Sequence, residues 1–277
     1  MKSFDGKVAV ITGAGSGIGR ALALELARRG AQLALSDIGF DAVSATADAC
    51  RVLGGKASAF ALDVSDRAAV EAHAGEVSAQ FGGTDLVINN AGVALGSDVV
   101  DMSWDDFEWL MSINFWGVTY GTKAFLPALI ASGDSHLVNI SSVFGLMSVP
   151  GQSAYNAAKF AVRGFTEALR QEMRIAGHHV GVTCVHPGGI KTDIVRSARG
   201  MDHLGDPDTR SRDFQRWALT SPEKAAEVIL AGVQKNKPRV LIGPDARGFD
   251  MVPRVVGPRY QDIASTATRL GRKVTRR

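Results

Sequence analysis

Short apolar runs recur along this chain at intervals that leave room for one helix between each pair: VAVIT from Val8, QLALSD from Gln32, ASAFALD from Ala57, DLVINN from Asp85, HLVNISS from His136 and VGVTCVHP from Val180. Runs that stay apolar on successive residues are strands covered on both faces. Strands alternating with helices pair in parallel through right-handed crossovers. The expected fold is α/β, a single-domain doubly wound parallel sheet with helices on both faces. A further run, RVLIG from Arg239, follows a helix opened by Thr220-Ser221-Pro222-Glu223 and brings the count to about seven strands. No tandem repeat or linker divides residues 1–244. The segment of about 191–217, rich in Asp, Gly and Arg, is weakly patterned and reads as a lid, and residues 245–277 read as an extension.

Composition narrows the class. At 277 residues, 45% hydrophobic and 21% charged, the chain suits one large globular domain. Its N-terminus lacks an apolar signal core and no stretch approaches about 20 uninterrupted apolar residues, so a soluble, cytoplasmic protein is expected. Cys50 and Cys184 have neither metal-ligand nor disulfide spacing, so both are expected as buried small hydrophobes and no metal is expected. Asn139-Ile140-Ser141 fits a glycosylation acceptor only formally, because it lies in a strand-like run. The extension carries eight Lys/Arg against three Asp/Glu without a dense block, and no motif supports nucleic-acid binding. Ile263, Ala267 and Leu270 stand at helical spacing there, as for a helix packed on a partner subunit or touching a membrane surface.

The first strand runs directly into Thr12-Gly13-Ala14-Gly15-Ser16-Gly17-Ile18-Gly19, followed by a helical pattern. Glycines let a backbone turn sharply and approach a pyrophosphate, whose charge a helix N-terminus favours. The loop is not G-x-G-x-x-G, since Ile18 or Arg20 falls on the last glycine, but its strand-loop-helix setting marks residues 1–244 as a Rossmann-like, dinucleotide-binding unit. Asp37 closes the second strand about 20 residues beyond the loop. A carboxylate there accepts hydrogen bonds from adenosine ribose hydroxyls and repels a 2′-phosphate, which points to NAD rather than NADP; the alternative is a turn-forming aspartate before Gly39. Asp63, followed by Val64, is placed to bond the adenine amino group, with Ser65 equally placed to cap a helix.

Tyr155 and Lys159 are four residues apart in SAYNAAKF and project from one face of a helix, beside a stripe of Ala158, Val162, Phe165 and Leu169. Further polar features follow the fourth, fifth and sixth strands: Asn89-Asn90-Ala91-Gly92, Ser141-Ser142 and His186-Pro187-Gly188-Gly189. Open α/β sheets bind ligands at such carboxyl ends. With these residues in place, the sequence resembles the short-chain dehydrogenase/reductase family from about Lys7 to Gly243. It matches that family's T-G-x-x-x-G-x-G at Thr12–Gly19, N-N-A-G at Asn89–Gly92, Y-x-x-x-K at Tyr155–Lys159, and P-G followed by threonine at Pro187, Gly188 and Thr192.

The resemblance implies a catalytic set of Asn114, Ser142, Tyr155 and Lys159. It implies cofactor contacts from Gly13, Ser16, Gly17, Ile18, Gly19, Asp37, Asp63, Val64, Asn90, Ala91, Gly92, Tyr155, Lys159, Pro187, Gly188, Ile190 and Thr192. An unperturbed phenol is a poor base at neutral pH, so Lys159 and the charged nicotinamide are expected to lower the pKa of Tyr155. Ser142 would bond the substrate oxygen, Asn114 a water that relays the proton from Lys159, and Lys159 the nicotinamide ribose. Hydride transfer to and from the pro-S face is implied, as is a homodimer or homotetramer. His186 precedes a proline and is read as structural. Val93, Phe144 and Met147, with Tyr155, are the expected substrate contacts; apolar neighbours such as Leu95, Leu146 and Val149, and Ile194, Val195, Met201, Leu204, Phe214 and Trp217 of the lid, favour a lipophilic secondary alcohol and its ketone. The alternatives are an NADPH-dependent 3-oxoacyl-type ketoreductase and a non-catalytic dinucleotide sensor or structural protein.

Overall fold

The computed structural model describes residues 1–201 and 206–274. In chain order the elements are β1 (Val8–Thr12), α1 (Gly17–Arg28), β2 (Gln32–Asp37), α2 (Phe40–Val52), β3 (Lys56–Ala61), α3 (Arg67–Phe81), β4 (Leu86–Asn89), α4 (Trp104–Met111), α5 (Val118–Ser132), β5 (Ser135–Ile140), α6 (Ser153–Ile175), β6 (Val180–Pro187), α7 (Pro207–Trp217), α8 (Pro222–Gln234), β7 (Arg239–Ile242), α9 (Pro244–Val256) and α10 (Tyr260–Val274). Every strand pair is parallel, in the order β3-β2-β1-β4-β5-β6-β7. The chain builds from β1 towards one edge, then returns to lay β4 on the other side of β1. Loops leaving β1 and β4 therefore turn to opposite faces and open a crevice between them.

Strand periodicity sorts the two cores. Ala9 and Ile11 of β1 pack with Leu22 and Leu26 of α1 and Ile229 and Leu230 of α8. Val8 and Val10 point the other way, towards Val77 of α3, Phe125 and Leu129 of α5, and Leu169 and Met173 of α6. A buried polar cluster joins β4 to β5. Asn89 Nδ2 donates to Asn139 Oδ1 at 2.8 Å and to Thr122 Oγ1 at 3.2 Å, and Asn139 Nδ2 donates to Thr166 Oγ1 at 3.0 Å. Asn139 is fully buried, which removes the formal glycosylation acceptor from solvent. Cys50 and Cys184 are free and buried.

Three local expectations are corrected. The stretch read as an irregular lid contains α7, whose first turn is capped by Asp206 accepting from the Asp208 and Thr209 N–H groups. Its sequence, PDTRSRDFQRW, has no apolar stripe, so a pattern search passes over a helix held by its cap and by local ion pairs. Leu204 lies outside the described residues. The cap of α3 is Asp66, not Ser65: Asp66 accepts from the Ala68 and Ala69 N–H groups, while the Ser65 hydroxyl donates to Asp63. In α6 the core stripe includes Ala158, Val162, Thr166 and Leu169, whereas Phe165 is half-buried against Phe115.

The extension forms α9 and α10. Ile263 on α10 is exposed, and the side chain of Leu270 lies outside the described residues. Among the described residues no helix is long and apolar enough to cross a membrane. Between α4 and α5, Ser112–Gly117 form one wide π-helical turn.

Candidate active site

At one side of the crevice the loop after β1 is held by backbone contacts. Thr12 Oγ1 accepts from the N–H groups of Asn90 and Ala91 at 3.0 and 3.1 Å, and Asn90 Nδ2 donates to the carbonyls of Thr12 and Gly13 at 2.9 and 3.2 Å. The ends of β1 and β4 are thereby tied together. The side-chain amide of Asn90 is committed to that tie, so its main chain is what remains for a ligand. A Cβ at Gly19 would collide with the Gly13 carbonyl oxygen, and one at Gly13, where φ is 65°, would meet Ala91 Cα at 2.8 Å. Ser16, in extended conformation before α1, makes no side-chain cap bond, and the first turn holds no acid. The leading N–H groups of α1 are thus left for an anion, in the positive field of the helix.

Asp37 Oδ2 accepts from Gly15 N–H at 2.9 Å and Oδ1 from Gly39 N–H at 3.1 Å. One oxygen forms the expected turn while the other braces the glycine loop. Asp63 is exposed and accepts from Ser65, and Val64 is buried with Ala91 and Ile113 beside it. A Cβ on Gly17 would lie 3.1 Å from Thr192 Cγ2, which brings the loop after β6 back over the glycine loop. A cradle that side chains would fill, an uncapped helix start and a carboxylate at the far end fit a dinucleotide.

The candidate reacting groups lie on α6 and at the carboxyl end of β5. Lys159 is buried, its Nζ donating to the Ile140 carbonyl at 3.1 Å and standing 5.6 Å from the centre of the Tyr155 ring. Burial lowers its pKa to about 8, so it stays mostly protonated at pH 7. The backbone of the same helical turn is fixed by Ser141, whose hydroxyl donates to the Lys159 carbonyl at 2.8 Å. Ser142 Oγ accepts from Phe144 N–H at 3.1 Å.

Burial pushes the phenol of Tyr155 above its ordinary value, and hydrogen bonding with Ser142 pulls it back. Among the groups of the chain itself, desolvation of the phenolate is the larger effect, and the Lys159 ammonium sits over the ring against a carbonyl.

Asn114 occupies the π-helical turn and is fully buried. Its Oδ1 accepts from Val93 N–H and its Nδ2 donates to the Val93 carbonyl, both at 2.8 Å. The observed work of this amide is to clamp the loop after β4. A Cβ on Gly92 would have Asn114 Oδ1 at 3.2 Å and Lys159 Nζ at 3.6 Å, so both polar groups border one position of that loop.

Beside Tyr155, Phe144 packs edge-on against its ring, with ring centres 6.2 Å apart, and against Phe249 of α9 at 6.0 Å. Val93 is half-buried and Met147 buried. Ala94 clusters with Ala198 and Met201, against which Ile194 and Val195 pack, while Trp217 is 84% exposed. The lid segment docks through a parallel bridge between Leu95 and Arg199. Arg199 stands 3.9 Å over the Trp109 ring and pairs with Asp106 at 3.1 Å.

One contributor was read from the sequence as structural, and a second escaped that reading. His186 Nδ1 donates to the Ser142 carbonyl at 2.8 Å; burial holds its pKa down near 4, so it is a neutral brace for Ser142. Asp245 Oδ2 accepts from Gly189 N–H at 2.7 Å. The only sequence signal for that contact is the Gly188-Gly189 pair, whose partner lies 56 residues away.

The fold and much of the sequence are similar to known proteins. A family profile described as short chain dehydrogenase matches residues 7–203. SadH of Mycobacterium tuberculosis is 54% identical over 267 residues, 96% of either chain. Estradiol 17-beta-dehydrogenase 11 of Mus musculus is 30% identical over 263 residues, 95% of this chain and 84% of its own. The crystal structure of a short chain dehydrogenase/reductase from Burkholderia phymatum in complex with NAD superposes with a TM-score of 0.84 at 33% identity, covering 92% of this chain and 95% of its own.

Proposed function

The chain belongs to the short-chain dehydrogenase family and is an oxidoreductase acting on CH–OH groups; on that premise we propose that it interconverts a lipophilic secondary alcohol and its ketone with NAD as cofactor. The observation that carries this reading is half-buried Tyr155 with buried Lys159 on one face of α6, beside Ser142 after β5. A bound nicotinamide would supply hydride acceptance from the alcohol carbon and hydride donation to the ketone.

The chain's own task is then to move one proton and hold one oxygen. Tyr155 takes the hydroxyl proton in oxidation and gives it back in reduction. A buried phenolate needs nearby positive charge, which Lys159 supplies while protonated, together with the charge of the oxidised cofactor. Ser142, braced by His186 and the turn at Phe144, holds the substrate oxygen and stabilises negative charge developing on it. Asn114 keeps the loop after β4 against Lys159, and a water at that position would carry the proton onward.

NAD over NADP rests on the Asp37 carboxylate at the rim of the glycine loop. The lipophilic substrate rests on Phe144 and Phe249 beside Tyr155 and on the apolar contacts of the lid. A homodimer or homotetramer fits the exposed aromatic residues Trp104 and Trp116 on and after α4.

The test is a titration with NADH and NADPH, followed by a panel of secondary alcohols and ketones assayed with the wild type and Tyr155→Phe. The expected result is preferred NADH binding, turnover on hydrophobic alcohols, and a fall of roughly 100- to 10,000-fold in kcat for Tyr155→Phe with cofactor binding retained. NADPH preference would favour the ketoreductase reading, and binding without turnover on the whole panel the sensor reading. Unchanged turnover in Tyr155→Phe would refute the assigned acid/base.

A further inference from the structure

The loop Pro187–Thr192 is attached to the body at few points. Gly188 N–H donates to the Ile242 carbonyl at 2.9 Å, and Ile190 and Thr220 form a parallel bridge through Lys191 N–H donating to the Thr220 carbonyl at 2.9 Å and Thr220 N–H to the Gly189 carbonyl at 3.3 Å. The one side-chain anchor described for this loop's backbone is Asp245, in the first turn of α9, whose Oδ2 receives the Gly189 N–H at 2.7 Å.

The surroundings are built around this carboxylate. Side chains at Gly188 and at Gly243, where φ is 98°, would both collide with it. Its other oxygen, Oδ1, is buried without a hydrogen-bond partner among the described residues. An acid in a helix's first turn commonly serves its own helix by facing that helix's free N–H groups. Asp245 instead bonds a loop from another part of the chain.

We propose that Asp245 is a positioning residue for the cofactor reaction: it holds Gly188–Ile190 in the conformation that receives the nicotinamide end of the dinucleotide. The proposal rests on the reading of that loop as a cofactor contact. Its physical basis is pre-organisation. A loop already held in the binding conformation needs no further ordering when the ligand arrives, whereas a freed loop loses conformational entropy at that moment and binds correspondingly weakly. The contact is charge-assisted and its donor is shielded, so breaking it costs more than an exposed turn bond does. The same helix carries Phe249 one turn further on, against Phe144 and so next to Tyr155. Through α9 the chain beyond β7 therefore touches both the cofactor loop and the substrate wall.

The experiment compares wild type, Asp245→Ala and Asp245→Asn. Hydrogen exchange of the Gly188–Ile190 amides is measured in the cofactor-free proteins, and NADH affinity by fluorescence titration. In Asp245→Ala, exchange at Gly189 should rise and NADH affinity fall about ten-fold or more, the range expected for loss of a hydrogen bond to a charged group. Asp245→Asn keeps an oxygen that can accept from Gly189 and should recover most of both. Should the alanine variant not fold, Asp245→Ser, too short to reach Gly189, takes its place. Gly189 protection unchanged in the alanine variant overturns the anchor, and a freed Gly189 with unchanged NADH affinity overturns its role in binding. Wild-type protein that binds no NADH overturns the cofactor reading itself, and the proposal with it.

Discussion

The glycine-loop half of the crevice and the cover over its chemical end are held by different kinds of contact. Around β1, β2 and β4 the working groups are main-chain atoms, with Thr12, Asn90 and Asp37 binding N–H and carbonyl groups of neighbouring loops. The cover consists of the lid segment, α7 and the helices beyond β7, attached by the Leu95–Arg199 bridge and mainly by side chains that reach across the fold: Arg199 to Trp109 and Asp106, Phe249 to Phe144, Asp245 to the Gly189 N–H. Backbone-built sites tolerate few substitutions, while side-chain attachment allows a cover to change without disturbing the fold. On the proposed function, cofactor binding belongs to the first region and substrate choice to the second.

Gly19→Ala puts the sharpest strain on that contrast. The added methyl meets the Gly13 carbonyl, a main-chain atom with no rotamer to escape into, so NADH affinity should fall by roughly 10- to 100-fold, in keeping with an overpacking cost of about 1–3 kcal/mol. Gly75→Ala in α3 faces open space and should leave binding intact while stabilising the fold by about 0.5–1 kcal/mol. Equal NADH affinities in the two variants would remove the distinction between a backbone-built site and an ordinary helix surface.

Acid should act on the sheet body before it acts on the cover. His73, His136 and His186 are buried, and burial lowers their pKa values to about 4, 3 and 4. Each takes up its proton near pH 6.5 when unfolded but stays neutral in the fold until pH 3–4. The stability they contribute is therefore complete above pH 6.5 and is lost as pH falls from there towards 4, by on the order of several kcal/mol in total. Thermal unfolding followed from pH 7.5 to 4.5 should show a steep fall in Tm. A flat profile would mean that these histidines ionise without opening the sheet.

The smallest effect is expected at the lid. Arg199→Ala removes a half-exposed ion pair and a cation–π contact, together about 1 kcal/mol. Tm should shift by no more than a few degrees and NADH affinity should hold, whereas KM for the alcohol should rise several-fold. A comparable loss of NADH affinity would show that lid and cofactor loop form one unit, contrary to the separation drawn above.

The same division explains what could be read before the structure. The order of strands, the glycine loop and the Tyr155–Lys159 face follow from periodicity and from short-range steric rules, which a linear pattern carries. The polar α7 has no stripe to reveal it, and the pairing of Asp245 with Gly189 spans 56 positions with no local mark at either end beyond the glycines. The upward pull on the Tyr155 phenol was not legible for a different reason: spacing reports a neighbouring charge but not the dehydration that opposes it.

The π-helical turn at Ser112–Gly117 has a geometric consequence. An α-helix advances about 100° per residue, so one residue more within a turn sets everything before it out of phase with everything after it. Accordingly Leu110 and Phe107 of α4 meet Leu95, Ala154 and Ala158 near Tyr155, while Phe125 and Leu129 of α5 meet the inner face of the sheet. One continuous rod thus serves two neighbours lying in different directions. Deleting a single residue between 112 and 117 would turn α4 by about a quarter revolution and carry its face away from the start of α6.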